Sequence, residues 1–463
     1  MSAKYKSPFT DKTILRYTDG DGTMSTAISK NYRIPALITL SDGTLLAAAD
    51  ARWDTYFDGG GLDTAVAYSI DDGQTWEAYL ANYLGDNGNV WNPNSATFID
   101  PALVTDGDTT YLLVDLYPYG IALNGGIAWP AKDTGFTKDG KLALKKGMRT
   151  SEPADYTYYL GDIDKNSGYA YIYDFDDNVV SEYKVDGKFN LFSAENGTYI
   201  SNLFFKNGIF EVMPAAYLYL TKSRDNGKSW SDPTLLKVKT DNEFACLVGP
   251  GRGLVTSKGV ILFACYSFQR QQTGLIYSND HGRSWTRFQS LPDDLYWSGE
   301  AAIVELNTGK IRCFFRNNTC CLCYVDIEVD EKGIPTSWGE PVKTEIRINS
   351  NTQLSALKYS KKIDGCEAIL ISCSTGKGTE GSDSCQIKDR SNGKILVGLL
   401  NDKKDFSVKK SHEITTNDAY YAYSCLTELE DGSVGLLYEK ESTVIDFVVL
   451  DIKEIIGDTE IVE

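Results

Sequence analysis

The sequence contains one eight-residue pattern three times: Ser69–Trp76 reads SIDDGQTW, Ser223–Trp230 reads SRDNGKSW and Ser278–Trp285 reads SNDHGRSW. Each copy fits S-x-D-x-G-x-(S/T)-W and follows an apolar, aromatic run that is typical of a β-strand. The central Asp-x-Gly favours a hairpin turn, in which Asp and Ser/Thr bond to the turn backbone and Trp packs on the sheet. We interpret the pattern as structural, and its repetition predicts several similar β-sheets.

A looser repeat, a glycine turn leading into an apolar strand, predicts the number of sheets. It occurs at Gly43, Gly107, Gly259, Gly309, Gly393 and Gly432. Six such turns favour an all-β fold, a six-bladed β-propeller in which each blade is a four-stranded antiparallel sheet. We expect residues 1–463 to form a single propeller domain without long amphipathic helices.

The spacing of the eight-residue pattern predicts an insertion. The second and third copies are about one blade length apart, whereas the first and second are separated by two blade lengths and roughly 40 residues more. Residues 122–194 are rich in Asp, Lys, Gly and Tyr and contain alternating runs. We expect a small β insertion or an extended blade connection there.

The composition limits the classes of partner. The chain has 463 residues, a net charge of −18 and a pI of about 4.7. A surface this acidic repels nucleic acids and anionic membranes. A small anionic substrate would need a local cluster of arginines.

Other features exclude several kinds of chemistry. No apolar run is long enough to span a membrane, and the first residues contain no run typical of a signal peptide. Two histidines exclude a multi-histidine metal site and disfavour a Ser-His-Asp triad. We interpret Cys320, Cys321 and Cys323 as buried free thiols in a strand, and expect no metal or other cofactor.

Residues Asn31–Ala51 form a predicted hairpin with an arginine at each end. Arg33 precedes the first strand and Arg52 follows the second, so both guanidinium groups should reach one sheet edge. In a propeller, such strand ends surround one end of the central axis. The other candidates at these ends are Asp58, Asp100, Glu300, Arg316, Arg390, Tyr423 and Glu439.

These motifs resemble the sialidase (neuraminidase) family of glycoside hydrolases, in its bacterial and protozoan form. YRIPAL is similar to the family's Arg-Ile-Pro motif, and the eight-residue pattern to its Asp boxes. GEAAIVELNTGKIRCFFRNN resembles its Glu-then-Arg element, and AYSCLTELEDGSVGLLYE its segment with the nucleophilic tyrosine. The resemblance extends over nearly the whole chain and implies sialylated glycans as substrates.

The resemblance implies how the substrate is held. Arg33, Arg316 and Arg390 would form a triad around the sialic acid carboxylate, which suits the bidentate fork of guanidinium groups. Arg52 would contact the sugar near its 4-hydroxyl, and Asp100 would help to line that pocket. Glu439 would hold Arg33 in place.

The resemblance also implies the reacting groups. Tyr423 would be the nucleophile and Glu300 the base that accepts its proton, because a free tyrosine has a pKa of about 10. Tyr421 is the main rival, since it would point to the same sheet face as Tyr423, whereas Tyr420 would point away. Asp58, in a Gly-rich loop, would be the general acid and base.

Two other aspartates, Asp54 and Asp63, remain alternatives to Asp58. The implied reaction is exo-hydrolysis of terminal sialic acid, with retention, through a sialyl-tyrosine. A trans-sialidase, including the intramolecular kind, and a non-catalytic sialic-acid-binding propeller remain alternatives. Tryptophans that could decide between water and a sugar acceptor are Trp53, Trp91, Trp129 and Trp297. An extracellular or cell-surface location is favoured, because sialosides are mostly found there.

Overall fold

The structure is a computed structural model that describes residues 4–18, 23–53, 57–84, 96–123, 128–240, 243–268, 272–292, 297–376, 389–401, 406–416 and 418–462. These residues are almost entirely in β-strands, which confirms the predicted all-β class. Their helical segments are one 3-10 turn, Pro153–Asp155, and one short helix, α1 (Ile452–Ile456). None of the described helices is both long and apolar enough to cross a membrane.

The first antiparallel unit follows the predicted hairpin. The strands up to its end are β1 (Leu15–Thr18), β2 (Met24–Ala27), β3 (Tyr32–Thr39), β4 (Leu45–Arg52), β5 (Leu62–Ser69) and β6 (Glu77–Asn82). Strands β3 to β6 pair in order, and β1 extends the sheet by pairing in parallel with β6.

The second unit is interrupted by two small sheets. Its strands are β7 (Thr97–Thr105), β8 (Thr110–Tyr117), β16 (Tyr217–Ser223) and β17 (Thr234–Leu236); between them lie β9 (Ala143–Lys146), β10 (Tyr158–Leu160), β11 (Ile172–Asp174), β12 (Tyr183–Val185), β13 (Asn190–Ser193), β14 (Tyr199–Asn202) and β15 (Phe210–Val212). The small sheets have the orders β11-β10-β9-β15 and β12-β13-β14. The predicted insertion, 122–194, overlaps this segment, and the segment's last strand ends at Val212. Its apolar side chains join one core with the first two units.

The third and fourth units follow without interruption. Their strands are β18 (Cys246–Val248), β19 (Gly251–Arg252), β20 (Leu254–Val255), β21 (Ile261–Ser267), β22 (Gln272–Ser278), β23 (Thr286–Phe288), and then β24 (Ser298–Glu305), β25 (Ile311–Asn317), β26 (Cys321–Val329), β27 (Pro335–Trp338) and β28 (Val342–Arg347). Strands β18, β21, β22 and β23 pair in that order in one antiparallel sheet, and strands β24 to β27 pair in sequence order in the next sheet.

The last two units complete the chain. Their strands are β29 (Ser355–Lys358), β30 (Lys362–Ile363), β31 (Glu367–Ser374), β32 (Gly393–Leu400), β33 (Phe406–Glu413), and then β34 (Ser424–Glu428), β35 (Val434–Glu441), β36 (Val444–Leu450) and β37 (Ile461–Val462). An apolar strand does begin at Gly393, as the glycine pattern predicts, but it is the third strand in its sheet order, so Gly393 does not mark the first turn of this fifth unit. The first turn is instead at Asp364-Gly365, where both residues have positive φ.

The units close into a ring around an axis. Each unit contacts the next through its inner strands. The contacting pairs are β3 and β7, β7 and β18, β21 and β24, β24 and β29, and β29 and β34. Strand β34 then contacts β3, which closes the ring. At this closure the hydroxyls of Thr39 and Thr427 are 2.8 Å apart, and Cys425 Sγ donates to the carbonyl of Leu37. Such a ring has the arrangement expected of a propeller.

The Asp boxes have the structural role predicted for them. In the first copy, Ser69 Oγ accepts from Gly73 N at 2.9 Å, and Asp71 accepts from both the backbone and the hydroxyl of Thr75. The other two copies repeat the same bonds. Gly73 has a φ of 83°, which favours glycine at this point.

The cysteine prediction is wrong at one position. Cys321 and Cys323 are buried free thiols, as expected, but Cys320 is disulfide-bonded. Cys320 has a φ of 58° and lies in the turn before β26 rather than in the strand.

Candidate active site

A cavity of about 210 Å³ lies at one end of the ring. Seven predicted residues line it together: Arg33, Asp58, Asp100, Glu300, Arg316, Arg390 and Tyr423. The remaining walls include aromatic side chains that the sequence did not single out for this purpose, namely Tyr117, Tyr266 and Phe268. The cavity thus combines cations, carboxylates and aromatic rings.

Two irregular strands aim side chains into this cavity. The pairing register shifts between Arg33 and Ala36 in β3 and between Ile99 and Ala102 in β7. Ile34 and Asp100 have φ values of 57° and 62°, and each is followed by a proline. A β-bulge bends a strand and redirects its side chains. The repeated text I-P-A-L and D-P-A-L was a sequence signal for these two bulges.

Tyr423, Glu300 and Arg316 form a connected group. Tyr423 Oη donates to Glu300 Oε1 at 2.6 Å, and Arg316 Nη1 donates to Glu300 Oε2 at 2.8 Å and to Tyr423 Oη at 3.2 Å. Burial and the charge of Glu300 raise the pKa of Tyr423 well above its usual range, while Arg316 and Arg390 oppose this rise. A proton acceptor is therefore in place for the Tyr423 hydroxyl.

Three arginines surround the Tyr423 ring. The guanidinium groups of Arg33 and Arg390 each lie 5.4 Å from its centroid, and Arg316 bonds to its hydroxyl. Asn351 Oδ1 accepts from Arg316 Nη2 at 3.1 Å and orients it. The arrangement offers a carboxylate several guanidinium donors at once.

Glu439 anchors Arg33. It accepts from Arg33 Nε at 3.0 Å, from Arg33 Nη2 at 3.2 Å and from the backbone of Ile34 at 3.0 Å. Burial alone would lower the pKa of Arg33, but the negative charge of Glu439, with Tyr423 and Asp58, raises it. Arg33 is therefore fixed as a cation facing the cavity.

Arg52 lies behind the cavity rather than in its wall. Its fully buried side chain donates to Asp50 Oδ2 at 2.7 Å and to Asp58 Oδ1 at 2.8 Å. Asp58 Oδ1 is also 3.5 Å from Arg33 Nη1. The arginines at the two ends of the hairpin, Arg33 and Arg52, therefore lie at one sheet edge, as predicted, and both contact the carboxylate of Asp58.

Buried carboxyls surround Asp100. Its backbone nitrogen donates to Asp50 Oδ1 at 3.1 Å. Burial, with Asp50, Glu300 and Asp58 nearby, raises the pKa of Asp100 well above its usual range. Asp115, fully buried in β8, accepts from the backbone of Val248 at 3.1 Å, and its pKa is raised by burial and by Asp100. Sequence reasoning missed Asp50, Asp115 and Asn351.

The rival tyrosine, Tyr421, does not line the cavity. Tyr421 is fully buried, stacks on Tyr438 at 5.0 Å and bonds to the hydroxyl of Ser372. Tyr420, which was expected to point away, instead packs with Tyr423. Strict alternation fails here because β34 begins only at Ser424.

Of the two alternatives to Asp58, the one that the structure describes, Asp63, does not line the cavity. Asp63 is buried and accepts from Trp53 Nε1 at 2.9 Å, while Asp54 lies outside the described residues. Of the candidate tryptophans, Trp297 lines the cavity, and Trp129 packs on Phe268 at 5.2 Å. Trp53 is the buried partner of Asp63, and Trp91 lies outside the described residues.

Comparison with known proteins defines the class and then the family. Residues 190–436 match the model of the BNR repeat-like domain. The chain is 32% identical to a protein of the leech Macrobdella decora named anhydrosialidase, over 89% of this chain and 58% of that one. It is 30% identical to sialidase B of Streptococcus pneumoniae, over 97% of this chain and 68% of that one. The chain therefore spans less than two thirds of the leech relative.

Solved structures agree. An intramolecular trans-sialidase from Ruminococcus gnavus, in complex with oseltamivir carboxylate, shares 31% identity over 92% of this chain and 96% of that one, with a TM-score of 0.77. The leech intramolecular trans-sialidase, complexed with 2,7-anhydro-Neu5Ac, also has a TM-score of 0.77, at 30% identity over 93% of this chain and 69% of that one. These neighbours confirm an all-β propeller fold. The chain belongs to the sialidase family.

Proposed function

We propose that this chain is an exo-acting sialidase that releases terminal, α-linked sialic acid from glycans. The observation that carries the proposal is the Tyr423 hydroxyl, 2.6 Å from Glu300 and surrounded by Arg33, Arg316 and Arg390. A sialic acid bears its carboxylate on the anomeric carbon. Binding that carboxylate to the arginines therefore brings the anomeric carbon to Tyr423.

The first half of the reaction forms a covalent bond to the protein. Tyr423 Oη attacks the anomeric carbon while its proton passes to Glu300. The bond to the leaving sugar breaks, and Asp58 gives a proton to the leaving oxygen. A neutral tyrosine suits this role, because a carboxylate nucleophile would be repelled by the carboxylate of the substrate.

The second half releases the sugar. A water molecule gives a proton to Asp58 and attacks the anomeric carbon, and Tyr423 regains its proton from Glu300. Two displacements at one carbon retain its configuration. Hydrolysis through a sialyl-tyrosine is thus the reaction that we infer first.

Intramolecular transfer is the second candidate, favoured by the names of two relatives, an anhydrosialidase and an intramolecular trans-sialidase. In this version a hydroxyl of the bound sugar itself attacks the anomeric carbon, and no water is consumed. Trp297 lies in the cavity wall with its ring 5.7 Å from the Arg316 guanidinium. An aromatic wall at this point would restrict the approach of water.

Product analysis tests both candidates. The purified protein is incubated with a fluorogenic sialoside and with 3′-sialyllactose, beside Tyr423→Phe and the matched control Tyr421→Phe, and the released sugar is identified by mass spectrometry. We expect at least about a hundredfold loss of kcat in Tyr423→Phe, within the range of removing a positioned catalytic group. Tyr421→Phe should keep most activity.

The mass of the product separates the reactions. Free sialic acid supports hydrolysis, and a product lighter by one water supports intramolecular transfer. Absence of release with sialoside binding intact would contradict the enzymatic proposal and leave a sialic-acid-binding propeller. Full activity in Tyr423→Phe would contradict the assigned nucleophile.

A further inference from the structure

A second concave region, which we call the tyrosine groove, lies between the first two propeller units and the inserted sheets. It consists of two adjoining cavities of about 430 and 410 Å³ that share Thr18, Tyr83 and Lys188. We define it by Tyr17, Tyr68, Tyr83, Tyr169, Tyr199 and Lys188. None of the described residues that line it also lines the catalytic cavity.

Aromatic rings form much of the groove. Tyr17 and Tyr83 contact edge to face at 5.8 Å, and Phe192 contacts both Tyr169 and Tyr199 at 5.9 Å. These tyrosines are mostly half-buried, so their rings are held in place while part of each faces solvent. Tyrosine offers an apolar face and a polar hydroxyl at once, which suits the mixed surface of a sugar ring.

Cations gather in this groove although the chain is strongly acidic. Lys228 lies 5.9 Å from the ring centroid of Tyr68, and Lys188 lies 5.2 Å from that of Tyr83. Lys188 is exposed, and its positive charge also acts on the nearby carboxyl group of Asp186. An exposed cation over an aromatic ring is available to a carboxylate.

One buried amide adds a hydrogen-bond donor without a protein partner. Asn82 lines the groove, is 1% exposed, and its Nδ2 has no hydrogen-bond partner among the described residues. A buried polar group without a hydrogen-bond partner destabilises the protein, and a hydrogen bond to a ligand hydroxyl would remove that penalty. The carboxylates of Asp186 and Asp232, in the same walls, are acceptors for other hydroxyls.

We propose that the tyrosine groove is a second glycan-binding site, which takes an oligosaccharide bearing a carboxylate. Its sugar faces stack on Tyr68 and Tyr83, its carboxylate meets Lys188, and one of its hydroxyls pairs with Asn82. The link to turnover rests on the proposed function: a polyvalent sialylated substrate would occupy the groove and the catalytic cavity together. Two linked contacts raise the apparent affinity through the effective concentration of the second.

A binding experiment tests the groove without requiring catalysis. Binding of 3′-sialyllactose and of lactose is measured by NMR titration to Tyr423→Phe/Arg316→Ala, in which the catalytic cavity is disabled. We expect this protein to keep binding 3′-sialyllactose, and a further Lys188→Glu to weaken the binding at least fivefold. The control Lys332→Glu, an exposed lysine in a turn between β26 and β27, should leave binding unchanged.

Several results would overturn the proposal. One is the loss of all binding in Tyr423→Phe/Arg316→Ala, and another is equal weakening by Lys188→Glu and Lys332→Glu. Equal affinity for lactose and 3′-sialyllactose would overturn the assigned role of the carboxylate. Because Lys188 is exposed, its substitution should not disturb folding, and the thermal melting of each variant checks this.

A kinetic experiment tests the link to turnover. In the otherwise native protein, Lys188→Glu and Tyr68→Ala should each lower kcat/KM for a polyvalent sialoglycoprotein at least threefold. Both should leave kcat/KM for a small fluorogenic sialoside within twofold of the native value. Equal effects on the two substrates would overturn the link. If the native protein releases no sugar, the proposed function fails, and the binding experiment still decides on the groove.

Discussion

At Tyr423 the protein holds a hydroxyl whose proton is hard to remove. Burial raises its pKa, and so does the negative charge of Glu300, although Glu300 is also the nearest proton acceptor. The opposing influence comes from Arg316 and Arg390. In the proposed reaction, a bound substrate carboxylate would neutralise part of that positive charge, so we expect deprotonation of Tyr423 to accompany its attack rather than to precede it. General-base catalysis by Glu300 has this form.

The first residue-scale prediction concerns Glu439→Gln. The amide would keep one acceptor for Arg33 but lose the charge that holds it, so Arg33 should lose its fixed position. We expect KM for a sialoside to rise about tenfold, since a charge-assisted bond contributes roughly 1.5–3 kcal/mol. Steady-state kinetics measure this, with Glu441→Gln, an exposed residue at the end of the same strand, as the control. An unchanged KM would show that Arg33 does not depend on Glu439.

The second residue-scale prediction tests whether Asp58 or Asp63 is the general acid and base. We expect Asp58→Asn to lower kcat for 3′-sialyllactose by about 10²–10⁴-fold, the usual contribution of a general acid and base. Asp63→Asn should retain activity, because Asp63 is buried against Trp53 and does not line the cavity. A comparable loss in both variants would contradict the assignment. A fluorogenic substrate with a good leaving group should reduce the loss in Asp58→Asn.

The third is a pH dependence of stability. Burial raises the pKa of Asp63 to about 8, against about 3.9 in an unfolded chain. A raised folded pKa gives stability that is present at low pH and is lost as pH rises through the folded value. We therefore expect Asp63 to contribute a fall in melting temperature between pH 5 and 8. Asp63→Asn should make that fall shallower, and an equal fall in both proteins would contradict the ionisation of Asp63.

The residues of the site differed in how far the sequence revealed them. Arg33 and Tyr423 stand in motifs with characteristic neighbours, so the resemblance identified them. Asp50 and Asp115 are single carboxylates inside apolar strands, where nothing local marks them. Asp50 pairs with Arg52 two residues along the same strand, β4, but folding also brings it to the backbone of Asp100 on β7, and it brings Asp115 on β8 close to Asp100.

At the scale of the element, a turn could be predicted only where its own side chains form hydrogen bonds with its backbone. The Asp boxes do so, and all three formed as expected. The looser glycine pattern led to an apolar strand at Gly393 as well, but could not show that this strand is the third of its sheet rather than the second. The true turn at Asp364-Gly365 carried an Asp-Gly signal directly before an apolar run.

The fourth prediction compares the stability effects of two neighbouring substitutions in the first Asp box. Asp71→Ala removes the acceptor for both groups of Thr75 and should lower the free energy of unfolding by about 1–3 kcal/mol. Asp72→Asn, one residue on and exposed, should have little effect, because Asn tolerates the positive φ at this position. Urea denaturation measures both. Since the box does not line the cavity, kcat should be unchanged in each folded variant, and a loss of kcat in Asp71→Ala would contradict the structural reading.

At the scale of the whole molecule, a chain with a large negative net charge contains a cavity with a local cluster of arginines. The net charge of −18 repels an anionic substrate at long range, while the arginines attract it only nearby. The screening length falls from about 30 Å at 0.01 M salt to about 8 Å at 0.15 M. Salt should therefore weaken the repulsion more than the attraction inside the cavity.

The fifth prediction follows from that difference in range. We expect kcat/KM for a small sialoside to rise severalfold between 0.01 and 0.15 M ionic strength, approximate limits set by the screening lengths above. Sodium chloride and potassium acetate at matched ionic strength should give the same rise, which separates screening from specific ion binding. A steady fall with salt would mean that the arginine cluster governs approach even at long range.

The ring closes through contacts between β3 and β34, and the same junction joins Arg33 to Glu439 and places Ile34 against Tyr423. The residues of the proposed reactive centre are thus far apart in the order in which a ribosome delivers them. A nascent chain can fold its early units while it is still being made, yet the proposed nucleophile, Tyr423, and the anchor for Arg33 are both present only after β35 has emerged. We therefore expect activity to begin abruptly once the unit of β34, β35 and β36 docks on β3, and its onset would report that moment.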